Sequence, residues 1–361
     1  MLFVARPIAP DLETLSRYLK GCIEQRRFTN GGPLEATLEL RLRELLSARH
    51  LCLVTNGTVA ITLALTALGI RGQVITTPFT FSATTHAIIH AGAEEVFVDV
   101  DPVTLTIDPK LIEAAITPET EAIVGVHVYG IPCAVDEISA IAKKHGLAVI
   151  YDGAHAFNMT YRGTPIGRFG DATTYSFHAT KLFHTAEGGA IEANSSDLAE
   201  RLRLLRNFGI ESEDVITACG TNAKMSEVSA AVGLAVLDLL GAEYDARAKL
   251  RSLYSDALKG IPDIRFLEAK EASDAGSYFI IYVPVSKRDE LQNQLRQSGI
   301  LARRYFYPLT SEGAYLGRQH DHRATPIAFE ASRSVLALPY HGGVTEQHVA
   351  LIAEIARRVL G

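Results

Sequence analysis

Gly146-Leu-Ala-Val-Ile-Tyr-Asp152, read together with Tyr175-Ser-Phe-His-Ala-Thr-Lys181 and Glu187-Gly-Gly189, decides the fold class of this chain. The first segment is an unbroken apolar run that ends in an acid, the pattern of a strand buried on both faces. In an open α/β sheet ligands sit beyond the carboxyl ends of the strands, so Asp152 is expected to emerge at a ligand-facing edge. Lys181 lies among Phe177, His178, Ala179, Thr180, Leu182 and Phe183, with hardly another charge nearby. Desolvation there disfavours the ammonium form and makes a neutral, nucleophilic amine accessible. The Gly188-Gly189 pair permits close backbone approach before the next strand.

Outward from this stretch, short apolar strands alternate with helices. Leu51–Val54 precedes a helix from about Thr58, and Val74–Thr76 precedes Phe81–Ala91. Glu95–Val98 and Ala122–Val126 follow, then a helix over Val135–His145, the strand ending at Asp152, and strands at Thr173–Ser176 and Ala190–Ala193. Ahead of them Thr29-Asn-Gly-Gly-Pro33 is a turn cluster that opens a helix over Leu34–Ala48. This alternation predicts an α/β fold with a mostly parallel, mixed sheet covered by helices on both faces. After a helical Ala199–Phe208 the pattern changes: Met225–Leu258 reads as one long helix, Tyr278–Val285 as a strand, and Arg288–Ser298 and Gln347–Val359 as helices. The chain is therefore expected to divide into a large α/β domain, 1–240, and a smaller C-terminal α+β domain, 241–361.

The 361 residues suffice for two domains, and 47% hydrophobic with 21% charged residues describes a globular protein. A formal charge of −6 offers no general attraction to nucleic acid or to anionic membranes, so neither is expected as a partner. The four cysteines, at 22, 52, 133 and 219, form no C-x-x-C pair. With no apolar leader or long apolar run, a reduced, cytoplasmic protein is expected. The spacing of His155, His178 and His184 matches no common ligand motif, so no metal is expected.

Thr55-Asn-Gly-Thr58 follows a strand and opens a helix, a geometry that presents backbone N–H groups and a hydroxyl to an anion, with Ser176 and Thr180 able to complete a phosphate cup. Taken alone, the turn reads more readily as a threonine-capped helix start. Phe81 is either a ring that stacks on a flat ligand or a core residue, and Phe79 is the core residue of the two. His155 either shares the site of Asp152 or caps a turn. A lysine that can form a Schiff base and an acid that can hold a pyridinium nitrogen are the two protein groups that pyridoxal phosphate chemistry most needs.

Beyond these segments, Asn30-Gly-Gly-Pro33, Pro78-Phe-Thr-Phe-Ser-Ala-Thr84, Asp152-Gly-Ala-His-Ala156, Gly170-Asp-Ala172, Asn222-Ala-Lys-Met-Ser-Glu227 and Leu336-Ala-Leu-Pro339 complete a series that covers nearly the whole chain. In that order they resemble the DegT/DnrJ/StrS family of nucleotide-sugar aminotransferases. The resemblance implies the pyridoxal-phosphate-dependent, aspartate aminotransferase-like fold type I. It makes Lys181 the lysine that binds the cofactor covalently, Asp152 the partner of its pyridinium nitrogen and His155 a neighbour of its ring. Gly57, Thr58 and Ser176 become the phosphate contacts and Phe81 the stacking ring. Asn222 becomes an asparagine that reaches the phosphate of the other subunit, which implies a homodimer with shared sites.

By the same resemblance an amino acid, L-glutamate, donates the amino group to a nucleotide-linked keto sugar in deoxyamino-sugar and polysaccharide biosynthesis. Arg303, Tyr305 and Tyr307 are the candidates to meet that substrate. Thr310 stands where many relatives carry histidine, so a contact there is not carried over. The form of the lysine motif resembles members that act on dTDP-4-keto-6-deoxyglucose at C4. Amination of a 3-keto sugar at C3, sugar dehydration and a non-catalytic regulatory role remain as alternatives.

Overall fold

The structure, a computed structural model, describes every residue except 268, 270 and 318–320. Its centre is a seven-stranded sheet: β1 (His50–Val54), β2 (Gln73–Thr76), β3 (Glu94–Phe97), β4 (Thr120–Val126), β5 (Ala148–Asp152), β6 (Ala172–Ser176) and β7 (Gly189–Ala193), in the order β1-β7-β6-β5-β4-β2-β3. All neighbours are parallel except β7, which runs antiparallel to both β1 and β6. The expected strands are present, each within about two residues of its expected bounds, and the sheet is mixed through β7 alone.

Register brings the chemistry together. Val126, Asp152 and Thr174 are successive partners across β4, β5 and β6, so the carboxyl ends of these strands are level. On the other side of β6, Gly189 pairs with both Ser176 and Val54. The turn after β1 is thereby carried to the end of β6. A Cβ on Gly189 would lie 2.7 Å from the Asn56 carbonyl carbon and 2.8 Å from the Tyr175 oxygen, so only glycine permits this approach.

Helices α1 (Leu12–Glu24) and α2 (Pro33–Leu45) precede the sheet. The α3 helix (Gly57–Leu68) begins at Asn56, whose side chain accepts from the Val59 N–H at 2.9 Å, and ends at the left-handed Gly69. The α4 helix (Ser82–His90) starts immediately after Phe81. Apolar clusters fill both sides of the sheet, one around α3 with Val124 and Ile150, the other around Ile123, Val149 and Tyr151. Strand β5 therefore buries both faces, as its uninterrupted apolar run requires.

The C-terminal part packs a separate cluster, including Leu250, Phe279, Leu295 and Ile352. Its three antiparallel strands are Arg265–Phe266, Phe279–Tyr282 and Val335–Leu338. The strand expected over Tyr278–Val285 stops at Tyr282 because Pro284 caps a helix, Val285–Gln297, that begins earlier than its apolar pattern suggests. A 32-residue helix, Glu227–Leu258, runs unbroken through position 241, so the expected boundary falls inside a rigid element. A further cluster, with Phe79, Val126, Tyr129, Ile280, Phe306 and Val335, joins the ligand-facing end of the sheet to the C-terminal part. Helices Pro109–Ala115 and Pro326–Ser334 carry too short a periodicity to be read from sequence. No helix among the described residues is long and apolar enough to cross a membrane.

One buried carboxylate ties the long helix to α2. The cap residue of α2, Gly32, has no side chain to offer, and Glu227 instead accepts from the N–H groups of Leu34 and Glu35, each at 2.9 Å. Glu227→Ala leaves two buried donors without an acceptor and is expected to cost about 2 kcal/mol of stability, read by urea unfolding. Glu227→Gln keeps one acceptor oxygen and should lose less than half as much. Equal losses would show that charge, and not hydrogen bonding, is what matters there.

Candidate active site

A cavity of about 780 Å³ opens at the carboxyl ends of β5 and β6, within the size range of small-molecule sites. Asp152 stands at its floor. The Thr84 hydroxyl donates to one carboxylate oxygen at 2.8 Å and the Ala154 N–H to the other at 3.0 Å. Thr84 also shares a 2.8 Å hydrogen bond with Thr80. Burial pushes the Asp152 carboxyl above its ordinary value, while these two donors and the positive charge of Lys181 push it back.

Lys181 is half-buried and follows a turn closed by its own N–H, which donates to the His178 carbonyl at 2.8 Å. Its ammonium lies 6.0 Å from the centre of the Tyr278 ring. Desolvation holds the ammonium below the usual lysine value, against the opposing influence of Asp152 and of the Tyr305 phenol. The neutral amine expected from the apolar neighbours is thus favoured by the folded surroundings.

His155 is buried on the same side of the cavity. Its Nδ1 accepts from the Tyr129 N–H at 3.1 Å, which assigns the ring proton to Nε2. Burial, then the charge of Lys181, lowers its pKa well below the ordinary histidine value, so the ring is neutral.

The opposite wall is the N-terminus of α3. The Asn56 side chain occupies the Val59 N–H, so the Gly57 and Thr58 N–H groups lie outside the helix's own bonding and face the cavity end. A Cβ on Gly57 would sit 2.8 Å from the Ser176 Cβ, so the absence of a side chain is what lets the Ser176 hydroxyl share this corner. Phe81 is 60% exposed and lines the same cavity, whereas Phe79 is fully buried. The alternative of a core role therefore falls to Phe79, and the exposed ring is available to a ligand.

Of the candidates read from sequence, Gly57, Thr58, Phe81, Asp152, His155, Ser176, Lys181, Arg303 and Tyr305 line this one cavity. Tyr307 does not; its ring lies 4.5 Å from the Arg304 guanidinium and 5.4 Å from that of Arg288. Asn222 is also outside, exposed on the surface, with its side-chain oxygen accepting from the Lys224 ammonium at 2.9 Å. Its segment is fixed to the phosphate-type turn all the same, since the Thr55 N–H donates to the Ala223 carbonyl at 2.9 Å. Thr84, Tyr129, Tyr278 and Phe306 were not singled out by sequence. Thr84 carried a usable signal: it lies one helical turn after Phe81, so both serve the same end of α4. The others arrive through contacts distant in sequence.

The donor set fits pyridoxal phosphate. An anion-binding helix start, a ring-sized space beside Phe81, a buried carboxylate and a recessed lysine surround a single volume.

Comparison with known proteins agrees with this geometry. Residues 11–357 match the DegT/DnrJ/EryC1/StrS aminotransferase family. A Shigella dysenteriae protein named dTDP-4-amino-4,6-dideoxy-D-glucose transaminase is 43% identical over 366 residues, covering 99% of each chain. An Escherichia coli protein of the same name is 38% identical over 369 residues, covering 99% of this chain and 98% of its own. The crystal structure of DesI in the presence of its TDP-sugar product superposes with a TM-score of 0.93 at 35% identity, covering 99% of this chain and 92% of that one. The chain belongs to the DegT/DnrJ/EryC1/StrS aminotransferase family and is a pyridoxal-phosphate-dependent aminotransferase.

Proposed function

We propose that this enzyme transfers an amino group from L-glutamate to C4 of dTDP-4-keto-6-deoxyglucose. The observation that carries the reading is the single cavity lined by Lys181 and Asp152, by the α3 N-terminus and by Arg303 and Tyr305. The chemical groups and a polar, aromatic entrance for a nucleotide-linked sugar are thereby joined in one volume. The choice of sugar is supported by the names of the Shigella and Escherichia relatives.

Bound pyridoxal phosphate supplies a ring that withdraws electrons from the substrate carbon. The Gly57 and Thr58 N–H groups, the Thr58 hydroxyl and the Ser176 hydroxyl would hold its phosphate. Asp152 would keep the pyridine nitrogen protonated, and His155 would donate from Nε2 toward the ring's polar edge. Lys181 would hold the cofactor covalently and, as a free neutral amine, would be the base that takes and returns a proton at the reacting carbon. Arg303 and Tyr305 would meet the nucleotide-linked sugar, with the 241–361 part closing over the 1–240 part. Asn222, exposed on a segment paired with Asn207 beside Phe208, which is 46% exposed, would serve a second copy of the chain in a homodimer.

The direct test is turnover with L-glutamate on a panel of nucleotide-linked 3-keto and 4-keto sugars, with the product position read by NMR. Amination at C4 of the dTDP-linked 6-deoxy sugar is expected; exclusive amination at C3, or deoxygenation without amine transfer, would replace the reading. Borohydride reduction of the cofactor-loaded enzyme should label Lys181 in a peptide map, and Lys181→Ala should lower turnover at least ~1000-fold. A label on another lysine would overturn the assignment.

Thr84→Val removes a donor that favours the charged form of Asp152. The Asp152 pKa should then move further up, and the acid limb of the kcat/KM profile should shift to higher pH. An unmoved acid limb would show that Asp152 does not govern it.

A further inference from the structure

Tyr129 is not accounted for by the roles above, yet it touches both sides of the site. It lies in the short turn Val128–Gly130 that follows β4, with its backbone in the left-handed region at φ 58° and ψ 8°. A bulky residue adopts that conformation only where the surroundings over-determine it. Here they do. The His127 N–H donates to the Asp152 carbonyl at 3.0 Å, His127 Nδ1 accepts from the Cys133 N–H at 3.0 Å, and the His127 ring stacks on Tyr151 with centres 4.6 Å apart. The turn is thus nailed to the end of β5, the strand that delivers Asp152.

From this fixed position Tyr129 reaches in two directions. Its N–H donates to His155 Nδ1 at 3.1 Å, which leaves Nε2 as the protonated nitrogen. Its phenol donates to the backbone carbonyl of Tyr305, a residue of the C-terminal part that lines the cavity. Its ring is parallel to those of His155 and Phe306, with centres 6.3 and 6.1 Å away, and is met edge-on by Phe79 at 6.1 Å. The residue is buried, and among the described residues that carbonyl satisfies the phenol.

We propose that Tyr129 is a positioning residue that couples the substrate-facing Tyr305 segment to the cofactor-facing His155. One residue sets both, so the mouth of the cavity is registered to its floor through a single buried side chain. The substrate-facing part of this inference rests on the proposed role of Tyr305.

Two substitutions that differ only in a donor test it. Tyr129→Phe keeps the ring and the N–H but removes the phenol, whereas 4-aminophenylalanine, installed by amber suppression, restores a donor. In Tyr129→Phe, hydrogen exchange of the Phe306 and Tyr307 amides should accelerate about tenfold, and 4-aminophenylalanine should return it toward wild type. With the nucleotide sugar, KM should rise about tenfold in the phenylalanine variant, equivalent to ~1.4 kcal/mol, with a smaller change in kcat and no movement of the cofactor absorbance maximum. Unchanged exchange and KM, or changes that the amino variant does not reverse, would overturn the coupling and leave Tyr129 as packing only. Exchange needs no substrate, so it is read even if the wild type fails on this sugar. That failure would count against the proposed function, and not against the link between Tyr129 and Tyr305.

Discussion

Asp152 is a buried carboxylate whose two oxygens are each met by a donor, and the architecture around the site follows from placing it there. Desolvation raises its carboxyl, and the Thr84 hydroxyl, the Ala154 N–H and the nearby Lys181 charge counter that rise. The same proximity acts on Lys181 in reverse: burial lowers its ammonium and Asp152 raises it. Burial disfavours the charged form of each group, and each partly offsets that effect on the other. The pair therefore fixes which strand ends must be adjacent, and the sheet register supplies that adjacency.

The rest of the sheet serves the same requirement at longer range. Strand β7 alone reverses direction, and by pairing Gly189 with both Ser176 and Val54 it draws the α3 N-terminus across to the end of β6. The amides at the start of α3 thus share one cavity with the carboxylate, with glycines at the close approaches to Ser176 and to Asn56. The aromatic cluster of Phe79, Tyr129, Tyr278 and Phe306 then seals the face where the C-terminal part meets the sheet. Edge-to-face and parallel rings fill this junction with large area and few polar demands.

Much of this was legible in the sequence, and the division has a physical basis. Strands such as Ala148–Asp152 bury both faces, so their apolar runs stand out, and Lys181 stands out by the lack of charge around it. The turn at Gly57 was visible as a strand followed by a helix start. The helix Pro109–Ala115 was not, since seven residues give too few repeats of the helical period. Nor could sequence place Tyr129 against Tyr305 or Tyr278 against Lys181, because those contacts join segments far apart in the chain. Tyr307 shows the converse: membership of a promising motif did not carry it into the cavity, because its ring is taken by the arginines at 288 and 304.

The cavity's two sides have different mutational freedom. Asp152, Ser176 and Gly57 lie at strand ends or a helix start, and a side chain at Gly57 would push against Ser176 at the end of β6. Arg303 and Tyr305 lie on a connecting segment whose backbone pairs with Ala337 only at Arg303. If they meet the substrate as proposed, a substitution at either would alter what the entrance admits and leave the ladder of the central sheet intact. On the proposed reading, a lineage built on this scaffold would exchange one sugar for another by drift in a loop, with the amino-transfer step inherited unchanged.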